Sequence, residues 1–143
     1  MSKILAPKLP LTLGSDTQYE MINNYTKLAL QNLKMLVLTI PGERVMDTNF
    51  GVGLSTFLFE LNNMSTRNSI SAKIQEQVSE YLPYIEILNI MYHSSLEDPT
   101  VSEHFLSIKI EFNIIPVGIN TSLILSLDGD EIIDSSEIVT YSW

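Results

Sequence analysis

Cysteine is absent from all 143 positions. That excludes disulfides, thiol nucleophiles and cysteine-ligated metals, and it fits a reducing compartment. Glycine and proline number six each, too few for a collagen-like or low-complexity chain. Basic side chains are scarce: eight against 17 acidic ones, for a net charge of −9. The shortage is concentrated in one part of the chain. Residues 90–143 carry Lys109 alone against Glu97, Asp98, Glu103, Glu111, Asp128, Asp130, Glu131, Asp134 and Glu137. A nucleic-acid surface works by clustering Lys and Arg against phosphates, so no nucleic-acid partner is expected. The acidic part suits either a basic protein partner or a solubilising surface. No run approaches the ~18 consecutive apolar residues of a membrane span. The longest uncharged stretch, residues 112–127, is interrupted by Asn113, Pro116, Gly118 and Asn120. The N-terminal apolar segment is too short for a secretory signal, so the expectation is a soluble protein made in the cytosol, with no membrane partner.

What is present is ordinary core material. With 45% hydrophobic and 17% charged residues, the chain reads as one globular domain over residues 1–143. A chain this long buries roughly two-thirds of its unfolded surface. Residues 1–14 contain Pro7, Pro10 and Gly14 without helical period, and read as an extended arm. Its Ile4, Leu5, Leu9, Leu11 and Leu13 call for cover from this domain or a neighbour. Thr17 and Glu20 stand at capping-box spacing. From there Met21, Tyr25, Leu28, Ala29, Leu33, Leu36 and Val37 predict one face of a helix to about Leu38, roughly 33 Å long at 1.5 Å per residue. Pro41-Gly42 stops it. Residues 54–61 predict a short apolar helix. Ser65 or Thr66 then caps a third, with Ile70, Ile74, Val78 and Tyr81 on one stripe, ended by Pro83.

The period then changes. Leu106, Ile108, Ile110, Phe112 and Ile114 alternate with polar residues, as in a half-buried strand. Residues 85–92, 121–127 and 131–133 predict its neighbours, with Asp128-Gly129 as a turn, and residues 134–143 read as a strand-like tail. The expected class is α+β: three N-terminal helices, one long, one short and one medium, packed on a C-terminal antiparallel sheet.

Chemical motifs are sparse. His93 and His104 match no metal-ligand spacing, and residues 128–131 lack the further ligands of a calcium loop. No phosphate loop and no nucleophile elbow occurs, so neither cofactor nor metal is expected. Glu43 and Glu60 are the pair of carboxylates that a glycan hydrolase would require ~5–10 Å apart. Each has a simpler reading, as a partner of Arg44 or as a solvated helix residue.

The least ordinary composition lies between Leu38 and Glu60. Leu38-Thr39-Ile40-Pro41-Gly42-Glu43-Arg44 is followed by Phe50-Gly51, Leu54 and Leu58-Phe59-Glu60. An amphipathic helix, a proline break and alternating strands come next. This order resembles the small baseplate wedge family of contractile-tailed phages, also called the sheath initiator, with relatives in contractile injection and type VI secretion machines. The resemblance covers about residues 17 to 115. Its motif residues here are Pro41, Gly42, Glu43, Arg44, Phe50, Gly51, Leu54, Phe59 and Glu60. The family's Glu-Pro-Arg after the third helix, which helps dock the protein on larger wedge subunits, here reads Leu82-Pro83-Tyr84. Only the proline remains, so an apolar or aromatic contact would have to replace the charged one.

The resemblance implies a non-enzymatic structural protein of the virion tail baseplate, assembled in the host cytoplasm. It implies multiple copies around the tail tube, with other wedge subunits, sheath protein and tail-tube proteins as partners. It further implies that the chain templates the first ring of sheath subunits by strand sharing, a form of β-augmentation. Ile138, Val139, Thr140, Tyr141, Ser142 and Trp143 are the expected shared strand, with residues 4–13 as a second candidate; intramolecular packing of both is the competing arrangement. Two other functions stay open at this point: a particle-associated cell-wall glycan hydrolase using Glu43 or Glu60, and an α+β interaction module outside any phage.

Overall fold

The structure is a computed structural model and describes residues 4–9, 11–14, 18–60, 63–94, 105–128 and 131–134. Its elements are β1 (Ala6–Pro7), β2 (Met21–Ile22), α1 (Tyr25–Leu38), a 3-10 helix (Leu54–Phe59), α2 (Met64–Tyr81), β3 (Ile85–Ser94), β4 (Phe105–Ile114), β5 (Ile119–Asp128) and β6 (Glu131–Asp134). The class is α+β, as expected, but two of the three expected helices are α-helices. The short one is a 3-10 turn of six residues, headed by Gly53 in a left-handed conformation. A tight single-strand corner between two packed helices leaves no room for more, and 3-10 geometry is the usual form of such short connectors.

The long helix is shorter than its apolar pattern suggested. It starts at Tyr25 because Asn24 caps it, its side chain accepting from Thr26 N–H at 2.8 Å. Met21 and Ile22 belong instead to β2, paired with Ala6 and Pro7. At 14 residues α1 is about 21 Å long. Its buried face is Thr26, Ala29, Leu30, Leu33, Leu36 and Val37, while Met21 and Tyr25 are exposed. Thr17, the expected cap, lies outside the described residues. For α2 the cap is Asn63, accepting from Thr66 N–H at 2.9 Å, rather than Ser65 or Thr66. Ile70, Ile74 and Val78 face inward as expected, joined by Gln77.

The four C-terminal strands form one antiparallel sheet in the order β3-β4-β5-β6. The ladder between β4 and β5 is unbroken over ten residues, from Phe105↔Asp128 to Ile114↔Ile119. That register puts Ile108, Ile110, Phe112, Ile114, Leu123 and Leu125 on one face, all buried. They meet Leu33, Leu36 and Val37 of α1, and Ile70, Ile74 and Val78 of α2, in a single core. At ~1.5–3 kcal/mol for each fully buried aliphatic or aromatic side chain, this layer is the main source of stability. The outer edge strand β3 carries a register shift between Ile87 and Asn89. At the other side β6 pairs with only the last four residues of β5, Leu125↔Asp134 through Asp128↔Glu131.

Candidate functional site

The family-like motif forms the corner between α1 and α2. Thr39 ends α1, its N–H and its hydroxyl both bonding to Met35 O at 3.0 and 2.6 Å. Pro41 and Gly42 then reverse the chain. Glu43 turns back, its Oε2 accepting from Ile40 N–H at 3.0 Å, so its carboxylate satisfies a backbone donor that the proline turn leaves open. Arg44 lies over the Phe50 ring, its guanidinium carbon 3.8 Å from the centroid. Phe50 in turn meets Tyr81 of α2 edge to face, with centroids 4.9 Å apart. The Tyr81 hydroxyl bonds to Asp47, which pushes its pKa up to about 12, with desolvation adding to the shift.

Gly51 passes directly over the end of α1. It has φ +113°, and a Cβ there would sit 2.1 Å from Thr39 O. Only glycine permits this approach. The close passage brings Val52 N–H to Leu36 O at 3.0 Å and Gly53 N–H to Thr39 O at 2.9 Å. Buried Gln77 closes the corner from α2, its Oε1 accepting from Gly51 N–H at 2.8 Å and its Nε2 donating to Asn49 O at 3.1 Å. Leu54 is fully buried beneath, and Glu60 is exposed just past the 3-10 helix that ends in Phe59. At the apex Val45 and Met46 are 90% and 98% exposed.

The motif residues thus come together as one locked turn, with Glu43 and Arg44 engaged in holding it. Gln77, Asp47 and Tyr81 complete the lock; the sequence marks Tyr81 only as part of the apolar stripe and does not single out Gln77 or Asp47. Gln77 had a readable signal, being polar on the apolar stripe of α2.

The other candidate residues are placed differently. Leu82 caps α2 and is buried in the core. Pro83 is exposed. Tyr84 is half-buried, its hydroxyl accepting from Asn32 Nδ2 at 2.9 Å and its carbonyl from Ile115 N–H at 3.0 Å. His93 is exposed on β3, and His104 lies outside the described residues, as do Ile138, Val139, Thr140, Tyr141, Ser142 and Trp143. Among the described residues no group of three or more His, Asp or Glu is disposed to hold a metal ion. No helix there is long and apolar enough to cross a membrane.

The N-terminal arm is extended and pairs with the residues that follow it. Leu5 N–H bonds to Ile22 O, Lys8 N–H to Glu20 O and Glu20 N–H to Thr12 O, each at 2.9 Å. Gln31 of α1 fastens this ribbon at two points, accepting from Leu9 N–H at 2.9 Å and donating to Pro7 O at 3.1 Å. Lys8 pairs with Glu20 at 2.8 Å, and its hydrogen bond holds the Glu20 carboxyl below the usual carboxylate range. Between the ribbon, α1 and β5 runs a groove lined by Leu9, Met21, Leu30 and Leu123 together with Lys27, Lys34 and the Lys8–Glu20 ion pair.

Two helices on one face of an antiparallel sheet, joined through a glycine-locked corner, define a small two-layer α+β module. The model of the family described as baseplate wedge protein gp25 matches residues 25–116. The chain belongs to that baseplate wedge family. It is also similar to two solved structures. One is a protein described as a tail lysozyme from Geobacter sulfurreducens, 23% identical over 78% of this chain and 97% of that one, with a TM-score of 0.63. Another is a chain of the anti-feeding prophage baseplate, 21% identical over 75% of this chain and 82% of that one, also with a TM-score of 0.63. No curated protein sequence matches the chain.

Proposed function

We propose that this protein is a non-enzymatic assembly component of a contractile-tail baseplate, present in multiple copies, which joins wedge subunits and templates the first ring of sheath subunits by strand sharing. The observation that carries the reading is the sheet itself. Beta-5 is ten residues long and fully paired to β4, yet β6 covers only its last four. Among the described residues, positions 119–124 therefore present backbone donors and acceptors with no strand beside them, which is the requirement for β-augmentation. Membership in the baseplate wedge family supplies the setting. Residues 138–143 follow β6 in the sequence and are, in this reading, the strand offered to a neighbour. Exposed Pro83, with the accessible part of Tyr84, is the candidate contact to larger wedge subunits, Leu82 supporting it from the core.

Removing residues 138–143 in the producing system tests the strand-sharing step. The expected result is a protein that still enters baseplates but leaves sheath assembly defective. Unchanged sheath assembly would sink it.

One observation favours a second reading, the likeness to the protein described as a tail lysozyme. In that reading Glu43 or Glu60 is an acid for glycan hydrolysis. Glu43 is engaged with Ile40 N–H, and both carboxylates are exposed. Glu43→Gln and Glu60→Gln decide between the two: a hydrolase loses turnover of cell-wall glycan while still assembling, whereas a scaffold has no turnover to lose.

A further inference from the structure

Val45 and Met46 stand almost fully in water at the tip of the corner loop, the most exposed large apolar side chains among the described residues. Neither takes part in the lock. The backbone that carries them is nevertheless tied down on both sides of the tip. Gly42 N–H bonds to Thr48 O at 2.9 Å, Glu43 N–H to Ile40 O at 3.0 Å, and Asn49 N–H to the Asp47 carboxylate at 3.2 Å. A tip held this way loses little conformational freedom when it is buried, so even a small contact made by it counts.

A matching hollow lies towards the other end of α1. The groove between the N-terminal ribbon, α1 and β5 has a volume of about 480 Å³, in the range of sites that take up apolar groups. Leu9, Met21 and Leu30 give it apolar walls. Its lining holds Lys8, Lys27 and Lys34 against Glu20 alone. Glu20 is paired with Lys8 at 2.8 Å, so that pair is neutral and the lining as a whole is positive, with Lys27 exposed. The tip has the opposite sign. Glu43 and Asp47 flank Val45 and Met46, and the base among them, Arg44, lies over the Phe50 ring. The tip does not reach the groove of its own chain. Lys27 and Thr39 are twelve residues apart along α1, about 18 Å, and the lock holds Met46 beyond that helix end.

We propose that Val45 and Met46 of one copy insert head to tail into the groove of a neighbouring copy, with Glu43 and Asp47 meeting its Lys27. A contact between two unlike patches repeats from copy to copy in one direction. Two inserted side chains bury far less than the ~1,200 Å² of a stable interface, so the contact is transient in solution and takes hold where copies are kept side by side. That last step rests on the multi-copy reading above; the contact itself does not.

The absence of native cysteine makes the test clean. Full-length Met46→Cys and full-length Met21→Cys, each with one thiol and one of them mass-tagged, are mixed and treated with a short bis-maleimide. Met21 lines the groove and is 49% exposed. Linked 46–21 pairs should exceed both 46–46 and 21–21 pairs by about tenfold. Val117→Cys, on the exposed turn between β4 and β5, replaces Met21→Cys as the control and should give only the background yield. A 46–21 yield no higher than this control overturns the proposal. So does a majority of 46–46 pairs, which would mean that tips meet tips, or of 21–21 pairs, which would mean that ribbons meet ribbons.

A second measurement separates the charge match from chance collision. Lys27→Glu in the groove chain, or Val45→Asp in the tip chain, should each lower the 46–21 yield about fivefold or more. Both positions are exposed, so thermal unfolding of either variant should match the parent. An unchanged yield with either variant overturns the proposal. No sheath or other baseplate chain takes part, so failure here is distinct from failure of the assembly reading.

Discussion

Replacing Gly51 by alanine strikes the corner where the structure has least tolerance. The new Cβ would lie 2.1 Å from Thr39 O and 2.8 Å from Thr39 C, both backbone atoms that cannot rotate away. At φ +113° the residue is also in a region that L side chains rarely adopt, at a cost of about 1–3 kcal/mol. Relieving the clash separates residues 51–53 from the end of α1, breaking the bonds of Gly51 to Gln77, Val52 to Leu36 and Gly53 to Thr39. Each contributes roughly 0.5–1.5 kcal/mol net, so with the strain the expected total is about 2.5–7.5 kcal/mol. For a chain of this size that corresponds to a Tm lower by about 10–20 °C. Gly42→Ala is the matched comparison, because Gly42 has φ +92° but nothing within 4 Å of its hypothetical Cβ. It should lose only the strain, about 1–2 kcal/mol. Thermal and urea unfolding followed by circular dichroism measure both. Equal losses in the two variants would refute the claim that close passage over Thr39, rather than turn conformation alone, holds the corner.

Three further outcomes follow from the same geometry. Gln77→Met, which keeps the volume but leaves Gly51 N–H and Asn49 O unpaired, should cost about 2–4 kcal/mol by urea unfolding. In a spectrophotometric titration one tyrosine should ionise near pH 12, and Asp47→Asn should return it towards 10. Because the folded-state value is raised, the proton is held more tightly when folded; this contribution to stability is fully present below pH 10 and lost as pH rises through about 12. Asn63→Ala removes the acceptor for Thr66 N–H and should destabilise α2 by ~1 kcal/mol, seen as faster exchange in its first turn.

What could be read from sequence was set by how local its cause is. The strict alternation from Ile108 to Ile114 announces a strand because one face must be buried, and the observed β4 has that face. The end of α1 was equally plain, since Pro41 forbids continuation. Its start was not. Thr17 and Glu20 imitate a cap, while the feature that excludes helix at Met21 and Ile22 is a pairing with Ala6 and Pro7, fourteen or more residues away. The 3-10 helix was misread for a similar reason: its apolar composition fits any compact turn, and the chain's close passage over α1 decides the geometry. The motif from Pro41 to Glu60 was visible as unusual composition, and the structure shows that Gly51 meets backbone, Glu43 meets a backbone donor and Arg44 meets a ring. Gln77 and Asp47 are ordinary residues made necessary by partners 26 or more positions distant, so the pattern around them carried only a trace of their role. The length of β5 that, among the described residues, has no second neighbour depends on how far β6 runs beside it, a matter of register that composition does not encode.

The shift in β3 between Ile87 and Asn89 gives the sheet a direction. A straight incoming strand loses step at that irregularity and gains few bonds beyond it, whereas β5 pairs with β4 without a shift and, among the described residues, has no strand beside positions 119–124. Under the strand-sharing proposal, growth is therefore favoured on one flank and discouraged on the other. A module with one receptive flank starts an ordered series and does not spread on both sides into a fibre. That one-sidedness is, under the same proposal, what a first ring of sheath subunits would need.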